Sequence, residues 1–400
     1  MNETPRSERL HIALFGLRNA GKSSLINALA GQERSIVSEV PGTTADPVYQ
    51  AMEILPIGPV VLIDTAGIDD EGALGLERVK KAESVLEKTD LALVVLDAQK
   101  GITTFDQAWI EKLEKRKIPF LLVLNKNDLA PSLDSNLSFI RTSALKNEGI
   151  GELKSAIIRL APQDRLEVQI IGDLLHPGET VVLVVPIDNS APKGRLILPQ
   201  VQTIREILDS DCLAVVTKER ELRRALENLK SPPRMVVTDS QAFLKVAADT
   251  PPGIPLTSFS ILFARYKGDL LTMAQGAKAI EKLKAGDSVL IAESCTHHQQ
   301  ADDIGSVKIP RWLRQYVGGD LRIEHCRGGD FPDELEKYQL VIQCGGCMSN
   351  RQGMLSRIMK SKAAKVPITN YGVAIAYLQG LFPRALEPFP FIHAFFEEEE

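Results

Sequence analysis

The residues with the most recognisable chemistry form a glycine-rich loop near the N-terminus. Residues 16–23 read GLRNAGKS and follow an apolar run, and an apolar helical pattern begins at Ser24. In a loop of this type, backbone N–H groups surround phosphate oxygens, the lysine supplies a positive charge to the β and γ oxygens, and the serine hydroxyl binds Mg²⁺. The pattern therefore predicts a nucleotide site made of Gly16, Asn19, Ala20, Gly21, Lys22, Ser23 and Ser24.

Two further motifs could complete the phosphate and Mg²⁺ chemistry. A DTAG sequence begins at Asp64, where a carboxylate can reach Mg²⁺ through a water molecule and the Gly67 N–H can sense a γ-phosphate. Between the two motifs lies PGTTAD, in which the hydroxyl of Thr43 or Thr44 could complete the Mg²⁺ sphere while a γ-phosphate is present. We favour Thr44 for Mg²⁺, beside Ser23. The predicted catalytic residues are then Lys22, Thr44, Asp64 and Gly67.

The choice of base is predicted by two short motifs that each follow an apolar run. In the first, Asn125-Lys126-Asn127-Asp128, the Asp128 carboxylate suits the paired donors at N1 and N2 of guanine, which adenine lacks. In the second, the backbone at Ser143 and Ala144 can donate an N–H to the guanine O6. A polar site of this kind discriminates by roughly 10⁴ or more, so we predict GTP rather than ATP.

The cysteines form a second group of candidate ligands near the C-terminus. Cys295 lies in ESCTHH, and Cys344-Gly345-Gly346-Cys347 places two thiols either side of a glycine pair that lets the chain bend tightly. Three converging thiolates suit an iron–sulfur cluster, a Cys₃His zinc site is an equally good interpretation, and a C-x-x-C pair alone could be a redox pair. Cys326 is either a spare ligand or a small buried residue, and we expect Cys212 to be structural.

Short apolar runs alternate with helical patterns along the whole chain, which predicts α/β domains with parallel sheets. In the first segment the predicted strands are Leu10–Phe15, Val60–Ile63, Leu91–Leu96, Phe120–Leu124 and Phe139–Thr142. We predict a doubly wound P-loop domain over residues 1–164, a smaller α/β domain over 165–266, and a third α/β domain over 267–400. In the third domain the cysteines just follow two predicted strands, where ligand sites of open sheets lie.

The composition excludes several classes of protein. A chain of 400 residues that is 44% hydrophobic and 25% charged is a globular protein of two or three domains. The net charge is −5 with no basic domain, which argues against nucleic acid as a partner. No apolar run approaches the ~18 residues of a membrane span, and the N-terminus lacks a signal sequence, so we expect a cytoplasmic protein. In a reducing compartment five cysteines favour metal or catalytic roles over disulfides.

Over residues 10–162 the four nucleotide motifs resemble those of the translation-factor-related GTPases, in the branch that contains Era and MnmE. Ile68 stands where Ras-like proteins carry the glutamine that orients the attacking water. Asn19 matches the asparagine that helps to bind K⁺ in potassium-activated members of the branch, although it could instead only stabilise the turn. The resemblance implies slow GTP hydrolysis stimulated by K⁺.

Across essentially its whole length the chain resembles the GTPases of iron–iron (FeFe) hydrogenase maturation. The resemblance rests on the nucleotide motifs, the two cysteine motifs, and the strings IGSVKIPRW at Ile304 and TNYGVAIA at Thr369. It implies that Cys295, Cys344 and Cys347 hold a 4Fe–4S cluster and that the middle domain mediates dimerisation. It also implies a scaffold that receives a di-iron precursor from radical-SAM maturases and delivers it to the apo-hydrogenase.

One position departs from that family's pattern. Many members carry a histidine immediately before the C-x-x-C, and this chain has Gln343 there. The histidine of the first motif is retained as His297, a candidate fourth ligand; the other candidates are His298, Asp302, Asp303, water and the incoming precursor. The competing function is a K⁺-dependent RNA-modification or ribosome-associated GTPase with a structural zinc or redox cysteine site. The sequence predicts a homodimer or a larger assembly.

Overall fold

The structure is a computed structural model that describes residues 4–31, 46–65, 73–130, 138–162, 168–187, 194–294, 303–328 and 330–397. The chain forms two compact units, Met1–Arg165 and Leu166–Glu400. Each unit has its own layers of helices against parallel strands. Among the described residues, no helix is long and apolar enough to cross a membrane.

The first unit is built on a six-stranded sheet with the order β2-β3-β1-β4-β5-β6. Its strands are β1 (Leu10–Phe15), β2 (Val48–Ile54), β3 (Gly58–Asp64), β4 (Leu91–Asp97), β5 (Phe120–Asn125) and β6 (Ile140–Arg141). All neighbours are parallel except β2, which runs antiparallel to β3 at the edge. The five predicted strands are therefore confirmed, and β2 is an addition to them.

Helices cover both faces of this sheet. They are α1 (Lys22–Ala30), α2 (Ala73–Leu86), α3 (Thr104–Lys115) and α4 (Ile150–Leu160). Alternate side chains of β1 enter opposite cores, with Ile12 and Leu14 on the face of α1 and α4, and Ala13 and Phe15 on the other face. Burial on both faces explains why the central strands read as continuous apolar runs.

The second unit contains two four-stranded parallel sheets. The strands of the first sheet are β7 (Thr180–Val184), β8 (Leu213–Thr217), β9 (Met235–Thr238) and β10 (Leu256–Ser258), and those of the second are β11 (Ser288–Glu293), β12 (Arg322–Arg327), β13 (Leu340–Gln343) and β14 (Ile368–Asn370). Their orders are β10-β9-β7-β8 and β12-β11-β13-β14. In each sheet the first strand lies between the second and the third, an arrangement that leaves a crevice at the carboxyl ends where the winding reverses.

One hydrophobic core joins the two sheets of this unit. It includes Val182 from the first sheet, Ile291 from the second, and Leu262 between them. The helices are α5 (Leu198–Asp209), α6 (Leu222–Glu227), α7 (Phe243–Asp249), α8 (Phe259–Lys267), α9 (Leu270–Lys278), α10 (Ile309–Val317), α11 (Arg351–Ala363), α12 (Tyr371–Leu378), α13 (Phe382–Leu386) and α14 (Pro390–Glu397). A π-helical turn, Ile304–Lys308, leads into α10. The predicted domain boundary at residues 266 and 267 falls at the end of α8.

The C-terminal aromatic segment differs from its prediction. From the sequence, Phe389–Phe396 is either an exposed patch for a partner or a packed C-terminal strand, and packing is the favoured interpretation. The structure has a helix instead of a strand: α14 begins at Pro390, a residue whose fixed backbone angle suits the first helical position. Phe396 packs its ring edge against Phe382, whereas Phe391 is 93% exposed. The strand prediction was therefore wrong, and the packing prediction holds for only part of the segment.

Candidate nucleotide and cysteine sites

The phosphate loop, residues 16–23, lies between β1 and α1. Lys22 is buried, and its Nζ donates to the carbonyl oxygens of Gly16 at 2.8 Å and Leu17 at 2.9 Å. The ammonium is thus already held at the centre of the loop, as a phosphate-binding lysine needs to be. Asn19 is exposed and has a left-handed backbone, with φ of 64°.

The two residues predicted near Mg²⁺ come together at the carboxyl edge of the sheet. Ser23, in the first turn of α1, donates its hydroxyl to Asp64 Oδ2 at the end of β3, at 2.5 Å. Burial raises the pKa of Asp64, while the hydrogen bond from Ser23 and the charge of Lys22 oppose that rise. Two oxygen ligands therefore converge at one point, next to a fixed positive charge.

Asn125 connects the phosphate loop to the base-recognition segment. Its Nδ2 donates to the Ala20 carbonyl at 2.9 Å, and its Oδ1 accepts from the Ala144 N–H at 3.1 Å and from the Thr142 hydroxyl at 3.3 Å. Gly21 approaches so closely that a Cβ there would lie 2.3 Å from Asn125 Nδ2. One buried amide thus couples the phosphate and base ends of the site.

The remaining base-recognition residues surround the end of β5. Lys126 places its Nζ 2.7 Å from Asp97 Oδ2, a buried carboxylate at the end of β4 that the sequence analysis missed. The Asp128 side chain is 6% exposed, with Lys146 Nζ 4.0 Å from its Oδ2. The Ser143 N–H donates to the Glu148 carbonyl at 3.1 Å. The N–H groups of Ser143 and Ala144 therefore already have acceptors, the Glu148 carbonyl and Asn125 Oδ1, and a guanine O6 would have to displace one of these acceptors.

Three of the predicted nucleotide-site residues, Thr43, Thr44 and Gly67, lie outside the described residues, so their roles stay predictions. The last residue of the PGTTAD motif, Asp46, is described. Its carboxylate lies 2.8 Å from the Nζ of Lys81 on α2. Both side chains are partly or largely exposed, so this ion pair contributes little to stability.

Cys326, Cys344 and Cys347 lie at the carboxyl edge of the second sheet in the second unit. Cys344, directly after β13, donates its N–H to the Ala292 carbonyl of β11 at 2.9 Å. In turn, its Sγ accepts the N–H of Ser294 at 3.1 Å, and Ser294 is the residue before Cys295 in the chain. The predicted candidates Cys295, His297, His298 and Asp302 lie outside the described residues.

Residues 344–347, which we call the cysteine turn, depend on a glycine with a left-handed backbone. Gly346 has φ of 65°, and a Cβ there would lie 2.6 Å from Met354 Sδ. The Gly346 carbonyl also accepts the Ser349 N–H at 3.0 Å. Burial raises the pKa of the Cys347 thiol, the nearby Cys344 raises it further, and the charge of Lys267 lowers it.

Cys326 lies on the other side of β11, paired in register with Ala292. Burial raises the pKa of its thiol to about 11, with the charge of Arg357 opposing the rise. Arg357 is buried and donates to Ser294 Oγ at 3.3 Å and to the Gly328 carbonyl at 2.8 Å. Cys326 is therefore a neutral thiol close to the cysteine turn.

The strands that lead to the two cysteine motifs each end in a buried polar residue, Glu293 in β11 and Gln343 in β13. Glu293 is buried, with its Oε2 3.0 Å from Arg327 Nε and its Oε1 accepting the Tyr371 hydroxyl at 3.3 Å. Gln343, which replaces the expected histidine, is fully buried, and its Nε2 contacts Met273 Sδ at 3.7 Å. Within the described ranges no group of three or more His, Cys, Asp or Glu side chains is placed to hold a metal ion.

Comparison with known proteins gives three family matches. Residues 11–126 match the 50S ribosome-binding GTPase family, residues 170–268 the hydrogen maturase F dimerization domain, and residues 271–388 the hydrogen maturase F tetramerization domain. The chain is 39% identical over 160 residues to the tRNA modification GTPase MnmE of Nitrosomonas europaea, covering 38% of this chain and 35% of that one. It is 35% identical over 189 residues to GTPase Der of Kosmotoga olearia, covering 42% of each.

Solved structures show the same kind of partial likeness. Era of Aquifex aeolicus bound to GDP and AlF₄⁻ is 21% identical, with a TM-score of 0.32 over 54% of this chain and 96% of that one. The chain spans between a third and about two-fifths of the length of the curated relatives named above.

The parallel sheet, the phosphate loop and the base-recognition motifs define the first unit as a P-loop GTPase domain, a class that binds GTP with Mg²⁺. That domain is followed by the two hydrogen maturase F domains, which are named for dimer and tetramer formation. These two domains together match more than half of the residues. The chain belongs to the hydrogen maturase F family.

Proposed function

We propose that this protein is a GTP-hydrolysing scaffold or carrier that binds a 4Fe–4S cluster and assembles or delivers the di-iron precursor of the FeFe-hydrogenase active site. The observation that carries the proposal is the hydrogen bond from the Ser294 N–H to Cys344 Sγ, at 3.1 Å. Ser294 directly precedes Cys295 in the chain, and this supports a shared site for Cys295, Cys344 and Cys347.

The described residues fit such a cluster. Two half-buried thiols flank a glycine turn at the end of β13, and the Ser294 N–H already donates to one of the sulfurs, as N–H groups do around iron–sulfur clusters. Cys295, Cys344 and Cys347 would hold the cluster, with His297 a candidate for the fourth iron. A cluster with three protein ligands supplies one exchangeable iron position, which suits the loading and release of a precursor.

For the nucleotide site we propose the roles that the sequence motifs predict, and the contacts of Lys22 and Ser23 support them. Lys22 would bind the β and γ phosphates, Ser23 and Thr44 would bind Mg²⁺, and Asp64 would act through a water molecule. The Gly67 N–H would sense the γ-phosphate. Asn19 would help to bind K⁺, so we expect slow hydrolysis that K⁺ stimulates.

The organisation of the chain supports the scaffold role. We propose a GTPase domain over 1–164, a dimerisation domain over 165–266 and a cluster-binding domain over 267–400, with a homodimer or a larger assembly as the working form. The family matches at 170–268 and 271–388 support these limits. The proposed partners are two radical-SAM maturases that supply the precursor and the apo-hydrogenase that receives it.

The experiment is anaerobic reconstitution with iron and sulfide, followed by metal analysis and EPR. Wild type should bind a 4Fe–4S cluster, and Cys295→Ala, Cys344→Ala and Cys347→Ala should each lose it. Cys326→Ala is the matched control, because it removes a neighbouring thiol at the same edge of the sheet. A cluster retained in all three variants would refute the ligand set, and a colourless wild type that binds zinc would favour the RNA-modification or ribosome-associated alternative.

A further inference from the structure

An arginine on α11 connects the carboxyl ends of two neighbouring strands. Arg357 is 7% exposed, and its guanidinium carbon lies 5.2 Å from the centroid of the Phe331 ring. Its Nη2 donates to the carbonyl of Gly328, just after β12, at 2.8 Å, and its Nη1 donates to Oγ of Ser294, just after β11, at 3.3 Å. A guanidinium is planar and its donors have fixed directions, so it holds these two acceptors in one geometry.

Ser294 extends this contact to the cysteine turn. Its N–H donates to Cys344 Sγ at 3.1 Å, while its hydroxyl oxygen accepts from Arg357. The backbone and the side chain of one residue are therefore held from two directions, which limits the rotation of the N–H that points at the sulfur. Because Ser294 directly precedes Cys295, the same contact restricts the start of the segment that carries the third predicted ligand.

A second side chain on the same face of α11 contacts the other cysteine motif. Met354 lies three residues before Arg357, and residues at this spacing share a face of a helix. A Cβ on Gly346 would lie 2.6 Å from Met354 Sδ, so the cysteine turn approaches this helix closely. The Ser294 hydroxyl lies 3.9 Å from the same sulfur. One face of α11 therefore contacts both cysteine motifs.

The hydrogen bond from the Ser294 N–H to Cys344 Sγ is the part of this arrangement that can act on a bound metal centre. Hydrogen bonds to the ligating sulfurs are among the factors that set the reduction potential of an iron–sulfur cluster. Reduction adds one electron, supplied in solution by a reductant such as dithionite, and increases the negative charge on the sulfurs. A donor aimed at the sulfur stabilises the reduced state more than the oxidised state, which raises the potential.

We propose that Arg357 is a positioning residue of the cysteine site, which holds the Ser294 N–H on Cys344 Sγ through the Ser294 hydroxyl and thereby slows the loss of iron and raises the reduction potential of the centre. This inference rests on the proposed function. It assigns a role to a residue outside both cysteine motifs.

The test compares Arg357→Met, Ser294→Ala and the double variant with the control Arg322→Met. Arg322 is exposed and begins β12, at the opposite end of the strand from Gly328, so its replacement removes the same charge away from the site. After reconstitution, Arg357→Met should lose iron to a chelator about 10-fold faster than wild type, the usual scale for residues that support metal ligands. Its midpoint potential, titrated with dithionite and followed by EPR, should fall, whereas Arg322→Met should match wild type.

The double variant distinguishes a positioning contact from two independent structural effects. Ser294→Ala keeps the N–H and removes the hydroxyl, so it should lower the potential in the wild-type background and have no further effect in Arg357→Met. A potential in Arg357→Met equal to that of Arg322→Met would overturn the inference, and so would effects of the two substitutions that add. Should circular dichroism show that Arg357→Met does not fold, Ser294→Ala decides the test, and an unchanged potential in that variant overturns the inference.

A measurement on the metal-free protein separates this inference from the proposed function. Without the guanidinium, the Ser294 N–H should leave Cys344 Sγ more often. Its amide hydrogen exchange should therefore be about 5-fold faster in Arg357→Met, the factor for the loss of one hydrogen bond of typical strength, and unchanged in Arg322→Met. Equal exchange in these two variants refutes the positioning role, whereas a wild type that takes up no cluster refutes the proposed function.

Discussion

Replacing Asn125 with alanine should disconnect the phosphate loop from the base-recognition segment. The side chain donates to the Ala20 carbonyl at 2.9 Å and accepts from the Ala144 N–H at 3.1 Å and the Thr142 hydroxyl at 3.3 Å. The hydroxyl of Thr142 can rotate to another acceptor, but the Ala20 carbonyl and the Ala144 N–H cannot move independently of the backbone. Two polar groups therefore lose their partner.

The expected cost follows from those two groups. Leaving a buried donor or acceptor without a partner costs about 1–3 kcal/mol. Because Ala20 is buried and Ala144 is partly exposed, we expect the free energy of unfolding of the GTPase domain to fall by about 2–4 kcal/mol. In the variant, GDP binding would have to order the phosphate loop and the base-recognition segment again. If this ordering takes about 2 kcal/mol from the free energy of binding, the Kd for GDP rises about 30-fold.

The assay is a fluorescence titration with a labelled GDP, together with thermal unfolding. Asn127→Ala is the matched control, because the side chain of this neighbouring asparagine accepts a 3.3 Å hydrogen bond from Arg141, which is exposed. The control should change the Kd by less than about 3-fold. An Asn125→Ala variant that binds GDP as tightly as Asn127→Ala would show that the amide does not connect the two ends of the site.

Three further predictions concern other contacts of the structure. Gly346→Ala should lower both the melting temperature, measured by thermal unfolding, and the amount of iron bound, measured by metal analysis. The control Gly286→Ala is also at positive φ but has open space around it, so it should lower the free energy of unfolding by only about 1 kcal/mol. Asp97→Asn, which removes the ionic partner of Lys126, should raise the Kd for GDP several-fold with little change in melting temperature; an unchanged Kd would contradict the assignment. In a variant without the three candidate cluster cysteines, alkylation of Cys326 should be slow near neutral pH and accelerate only as the pH approaches about 11. The buried neutral thiol stabilises the fold below about pH 9.0, and this contribution is lost as the pH rises through 11. Fast alkylation of Cys326 in the folded protein at neutral pH would contradict the prediction.

Much of the fold follows from local patterns in the sequence. The buried parallel strands are continuous apolar runs bounded by glycine or aspartate, so their positions are predictable within a few residues. Strand β2 was missed because the polar residues Gln50 and Glu53 interrupt its apolar run at the edge of the sheet, where burial is incomplete. The C-terminal helix was missed because aromatic residues favour strands locally, whereas Pro390 and packing against Phe382 determine a helix.

The site was predictable wherever recognisable motifs contain all the residues of an interaction. The contact of Ser23 with Asp64 follows from two well-defined motifs, and the structure brings them together. Asp97 and Arg357 gave no signal, because their importance depends on partners distant in the chain. An arginine on a helix ordinarily extends into solvent, and only the tertiary structure shows that Arg357 is enclosed.

Helix α8 begins directly after β10 of the first four-stranded sheet and ends at the lysine beneath the cysteine turn of the second. The region matched to dimer formation therefore ends in a helix of nine residues whose last residue contacts the cysteine turn. A displacement of β10 that moved α8 as one body would also move the Lys267 ammonium, which contacts the carbonyls of Gly346 and Ser349.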